Sequence, residues 1–169
     1  LQQQKLEKEI QRTRGLDKDV AQLLAAFSAG RMDLALTNDP EKIAARLERA
    51  IALLGAGIRG RTDEILKVVA GVGRPSEEAE TLLESFRLIL REAILLQRNV
   101  SGKHLMSEGI SEKLRPLIQS CPLRVLEKVF QQVGLLLQDI RLRNVNPQLG
   151  WESILFGFRS IALTGGINR

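Results

Sequence analysis

Asn144-Val145-Asn146-Pro147-Gln148-Leu149-Gly150-Trp151-Glu152-Ser153-Ile154-Leu155 is the stretch from which the fold is best read. It has the chemistry of a helix start. Asn146 can accept a backbone N–H from the first turn, and Pro147 suits the first helical position, where the N–H it lacks has no intrahelical partner. Leu149, Ile154, Leu155 and Phe158 then recur at helical spacing, which predicts an amphipathic helix packed on a larger body. Trp151 stands beside that stripe, either as packing at the core edge or as an anchor at an interface, where large aromatics are enriched.

The same period runs upstream. Leu126, Val129, Phe130, Val133, Leu136, Leu137 and Ile140 form one stripe on a long helix that begins at Pro122. Ala79, Leu82, Leu83, Phe86, Ile89, Leu90, Ala93 and Leu96 form another, from Pro75 or Ser76 to about Arg98. Between them Asn99 to Gly109 reads as a loop or short turn, with Ser111 as the expected cap of a helix to Gln119. Further back, Thr62 opens a helix holding Ile65, Leu66 and Val69, closed by Gly71-Val72-Gly73. Ile43, Leu47, Ala50, Ile51 and Leu54 share one face of a helix started by Asp39 and Pro40. Gly55-Ala56-Gly57 reads as the end of that helix and the connecting loop. Leu1 to Arg14 is a polar helix ended by Gly15, and a helix from Asp17 or Asp19 carries Val20, Leu23, Leu24 and Phe27 before Ser28-Ala29-Gly30. Short apolar runs such as Leu135-Leu136-Leu137 lie inside long helical stripes, so no strand is expected. The predicted class is all-α: residues 1–38 as a small helical unit and residues 39–169 as a helical bundle, with the break at Thr37 to Pro40.

Composition narrows the function classes. The 169 residues are 44% hydrophobic and 27% charged, an ordinary globular balance. The net charge of +5 is compatible with nucleic acid but dispersed, with Lys and Arg mostly interleaved with Asp and Glu, so charge alone does not choose a partner. One cysteine, Cys121, and one histidine, His104, exclude an internal disulfide and a Cys/His metal site. No apolar run approaches the roughly 20 residues of a membrane span. The start, Leu1-Gln2-Gln3-Gln4, has no signal pattern and no initiator Met, so the chain is expected to be cytoplasmic and the trailing piece of something longer. Gly55 to Arg61 is glycine-rich but follows a helix and lacks the Gly-Lys-Ser/Thr ending of a phosphate loop. Ser107, His104 and Glu108 lack a nucleophile-elbow pattern. Glu77, Glu78 and Glu80 are explained by the positive end of their helix dipole. Arg87, Arg91 and Arg98 lie on or near one helix face, either solvated or turned to an acidic neighbour. No cofactor, metal or catalytic residue is expected.

Three segments carry a family resemblance. Asn144 to Leu155 resembles the Asn-x-Asn-Pro-x-Leu-x-x-Glu opening of the last collar helix in the delta-prime subunit of the bacterial DNA polymerase III clamp loader. Val20 to Gly30, followed by Leu34-Ala35-Leu36, is similar to the lid of AAA+ clamp-loader subunits, where a Ser-x-Gly turn precedes a short Ala-Leu helix. Leu90-Arg91-Glu92-Ala93-Ile94-Leu95-Leu96-Gln97 resembles the collar's Leu-Arg-Asp-Leu-Leu-Leu-Leu helix, with Glu92 where Asp is usual. The matches occur in family order. Glu41 to Gly71 and Ser101 to Ser120 agree only in helical character, and Leu1 to Arg14 gives no motif-level match.

The resemblance implies a lid remnant over residues 1–38 and a collar over 39–169, joined to delta and gamma/tau subunits in the ring that places a sliding clamp on primed DNA. It also removes a function. ATP-hydrolysing members carry an arginine in the lid helix, in a Gly-Ser-x-Arg-Asp-Ala-Leu pattern, and alignment on Gly30, Ala35 and Leu36 puts Asp33 there. The chain is therefore expected neither to bind nor to hydrolyse ATP, and to meet DNA only through the assembled loader. Arg87, Arg91, Arg141, Arg143 and Trp151 are the residues expected at a partner interface. The rival readings are the collar of a gamma/tau subunit and a freestanding helical module that binds nucleic acid through its arginines.

Overall fold

The computed structural model describes residues 2–16, 18–28, 32–70, 76–100, 105–143 and 145–164, and among these every regular element is helical. In chain order they are α1 (Gln2–Arg14), α2 (Lys18–Phe27), α3 (Met32–Thr37), α4 (Pro40–Arg59), α5 (Thr62–Ala70), α6 (Ser76–Gln97), α7 (Glu108–Ile118), α8 (Leu123–Arg143) and α9 (Pro147–Thr164). The fold is an all-α bundle. Asp17, Ala29-Gly30, Gly71 to Pro75, Ser101 to His104 and Asn144, invoked above for caps and turns, lie outside the described residues.

The boundaries follow local chemistry. Gly15, at φ +62°, ends α1 by donating its N–H to the Gln11 carbonyl, a left-handed conformation that favours glycine. Asp39 caps α4 by accepting the Glu41 N–H at 3.0 Å, with Pro40 first in the helix. Asn146 accepts the Gln148 N–H at 3.0 Å and opens α9 as its sequence predicts.

Three local expectations are corrected. Helix α4 does not stop at Gly55-Ala56-Gly57 but runs two residues further, to Arg59, and Gly60 (φ +69°) is its cap. Ser111 is not the cap of α7. Ser107 is: its hydroxyl accepts the Ile110 N–H, while Ser111 lies one turn inside the helix. Among the described side chains of α9 the buried positions are Trp151, Ile154, Leu155 and Phe158, an i, i+3, i+4, i+7 set, whereas Leu149 is 62% exposed. Trp151 belongs to the stripe, and Leu149 faces away from it.

The middle of the bundle is α6, which packs against α4, α7, α8 and α9, while α9 also meets α4, α5 and α8. Gly57 sits under the Phe158 ring at the α4–α9 contact, and Gly150 faces Leu136 where α9 meets α8. Helices α1, α2 and α3 pack on one another, and α2 meets α4. Arg14 ties that group together by donating to the carbonyls of Ala35 and Asn38 at the end of α3. The buried apolar residues form one contiguous cluster from Leu6 to Phe158.

Helix α7 is held at both ends by side chains of α6. The Glu92 carboxylate accepts the Met106 N–H at 2.9 Å and the Ser111 hydroxyl at 3.2 Å. The Gln97 amide donates to the carbonyls of Ile118 and Cys121 at 2.7 and 2.6 Å, where α7 runs out of partners. Both clamps come from the segment Leu90 to Gln97.

Candidate partner-binding site

Arg87 and Arg91 stand one turn apart on the exposed side of α6, and Arg141 faces them from α8. The three line one groove of about 460 Å³, whose other walls are Phe27 of α2, Glu84 and Leu88 of α6, and Phe130 and Leu137 of α8. The fold thus gathers three of the five residues singled out from the sequence. Arg141 donates to both Glu80 and Glu84, and these hydrogen bonds raise its pKa and hold it charged. Arg143 is elsewhere: it pairs with Asp139 one turn back on α8, at 3.3 Å. Arg98, just past the end of α6, pairs with Glu127 of α8. Exposed pairs of this kind contribute about 0–1 kcal/mol each, so they organise the surface more than they stabilise it.

Trp151 is corrected outright. It is fully buried, with its ring edge-on to Phe86 at 5.1 Å between centroids, so it has no surface to offer a partner. Phe130 moves the other way. Its stripe position predicts full burial, but it is only half-buried, and Arg87 lies over its ring at 4.9 Å. Phe27 is likewise half-buried, with Arg46 over its ring at 5.9 Å. The two rings are the groove's aromatic walls.

Glu92 is a polar group that no motif singles out as structural. It is fully buried, and its second carboxylate oxygen has no hydrogen-bond partner. Burial pushes its pKa above the ordinary 4.5, against the opposing pull of the Met106 N–H, the Ser111 hydroxyl and nearby Arg91. The folded state therefore favours the neutral acid more than the unfolded chain does. Its contribution to stability is complete below the unfolded pKa and is lost as pH rises through the folded one. Glu92→Gln keeps an acceptor without the charge, so its stability relative to the wild type should rise from about pH 4 to about pH 8. Denaturant midpoints of both proteins at the two pH values check this; a constant gap would mean that folding does not raise the Glu92 pKa.

Burial pushes the Cys121 thiol up to about 11, which keeps it protonated and a poor nucleophile at neutral pH. Among the described residues no cluster of His, Cys, Asp and Glu could hold a metal ion, and no helix is long and apolar enough to cross a membrane. What the arrangement offers a partner is a small apolar groove with guanidinium edges. Comparison with known proteins returns no matching family model, no matching curated protein and no matching solved structure.

Proposed function

We propose that this chain is the non-catalytic C-terminal part of a clamp-loader delta-prime subunit, working in the bacterial cytoplasm. A lid remnant, residues 1–38, precedes a collar, residues 39–169. The collar joins delta and gamma/tau subunits in the ring that opens the sliding clamp and sets it on primed DNA. The observation that carries the reading is the ordered run of three family-like segments, Val20 to Leu36, Leu90 to Gln97 and Asn144 to Leu155. Geometry adds support at two of them: Asn146 and Pro147 open the final helix, and Leu90 to Gln97 carries both clamps on α7. Asp33, in the first turn of α3, supplies negative charge where a triphosphate would need positive. Arg98, Arg141 and Arg143 each pair with carboxylates of this chain, which makes these three less available to phosphates.

Immobilised delta and gamma/tau subunits should each be tested for capture of the chain at physiological salt, with binding to primed DNA measured alongside. Capture by a loader subunit, with only weak DNA binding, is the expected result. Tight DNA binding that falls steeply with salt, without capture, would favour the nucleic-acid module instead.

A further inference from the structure

The charges around the α2–α6–α8 groove are not equally engaged. Two carboxylates, Glu80 and Glu84, more than neutralise Arg141, so the group keeps a single excess positive charge at the rim, and it rests on Arg87 and Arg91. Among the described residues no carboxylate forms an ion pair with either. Arg87 is nonetheless held in place. Its guanidinium lies over the Phe130 ring, and Gly134, one turn along α8, leaves room beside it: a Cβ there would stand 3.8 Å from the Arg87 Nη2. A guanidinium fixed by its face keeps its N–H edge for a planar acceptor, and a carboxylate matches that fork. Beneath the rim the floor is apolar, formed by Leu88, Phe130 and Leu137.

We propose that this groove binds a short acidic peptide segment, with carboxylates on Arg87 and Arg91 and an aliphatic side chain of the same segment seated on Leu88 and Leu137, beside Phe130. The volume of about 460 Å³ lies within the range of small ligand sites and suits an apolar anchor with its flanking backbone. A free inorganic anion would use the rim and leave the floor unfilled. Single-stranded nucleic acid fits less well, because base stacking needs an open ring face. Both groove rings carry a guanidinium, Arg87 on Phe130 and Arg46 on Phe27, and both pack against the core. A segment seated here touches α2 as well as α6 and α8, and so braces the α1–α3 group against the bundle. The groove's chemistry does not depend on membership of a clamp loader.

Fluorescence anisotropy tests the proposal on the whole chain, with a short fluorescein-labelled peptide in which Asp and Glu flank a central Leu. Saturable binding is expected, weakened about tenfold by Arg87→Gln and by Arg91→Gln, as for loss of a charged hydrogen bond. Added salt should weaken it further, and the peptide with Asn and Gln in place of the acids should not bind. Melting curves establish that each variant is folded. Arg91→Gln changes an exposed side chain, so the test stands even if Arg87→Gln loosens α8. Equal affinity of wild type and both variants, absence of saturable binding, or tighter binding of a labelled oligothymidylate than of the peptide would overturn it.

Discussion

Trp151→Ala is expected to cost about 3–5 kcal/mol of folding stability, the range for emptying a large buried aromatic site. The ring is the largest fully buried side chain, and α9 brings it against α6, edge-on to Phe86. Truncation removes its burial, the aromatic pair and the support of Ile154, Leu155 and Phe158 on the same stripe. At roughly 2–4 °C per kcal/mol for a chain of this size, the melting shift is large. Trp151→Phe should be far milder. It keeps a ring and removes an indole N–H that is buried without a hydrogen-bond partner. Urea unfolding of the three proteins checks the order. A Trp151→Ala midpoint equal to the wild type would return Trp151 to the surface role its sequence position left open.

Gly57→Ala should destabilise by about 1–3 kcal/mol, although the exchange favours an isolated helix by roughly 0.5–1 kcal/mol. The reason is the α4–α9 contact: a Cβ on Gly57 would lie 2.7 Å from Cδ2 of Phe158, a buried ring with little room to retreat. Gly109→Ala is the internal contrast. Gly109 lies in the first turn of α7 with nothing within 4 Å of where its Cβ would be, so there the helical preference should prevail and stability should rise by about 0.4–1 kcal/mol. Opposite signs for two glycine-to-alanine exchanges in one bundle, measured by denaturant unfolding, separate packing from propensity. If the Gly57→Ala loss is steric, a second exchange, Phe158→Leu, should recover part of it, since the smaller side chain vacates the contested space.

These two sites also mark where sequence reading stops. Helix starts are legible because they are local: Asp39-Pro40 and Asn146-Pro147 hold their own caps within three residues. Glycine is ambiguous at that range. Gly60 ends a helix through its backbone, whereas Gly57 lets another helix approach, and only the position of α9 distinguishes them. Ser107 and Ser111 are equally good caps by residue type, and the choice is made by Glu92, which draws Ser111 inward. A signal for Glu92 does exist in the chain. Ser85 and Glu92 lie seven residues apart on the buried side of α6, so a carboxylate in that phase must find partners from a neighbouring element. The groove has no local signal. Its arginines are legible as charges on α6 and α8, but the aromatic walls come from α2 and α8, and their half-exposure follows from how those helices are set around α6.

Sedimentation velocity of the chain mixed with isolated delta and gamma/tau subunits at physiological salt decides whether it is an assembly piece of a clamp loader. The chain is expected to leave its own slow boundary and travel in a stoichiometric complex with those subunits. Sedimentation of the 18.8 kDa chain alone at every ratio, while the partners assemble without it, would contradict a place in that ring.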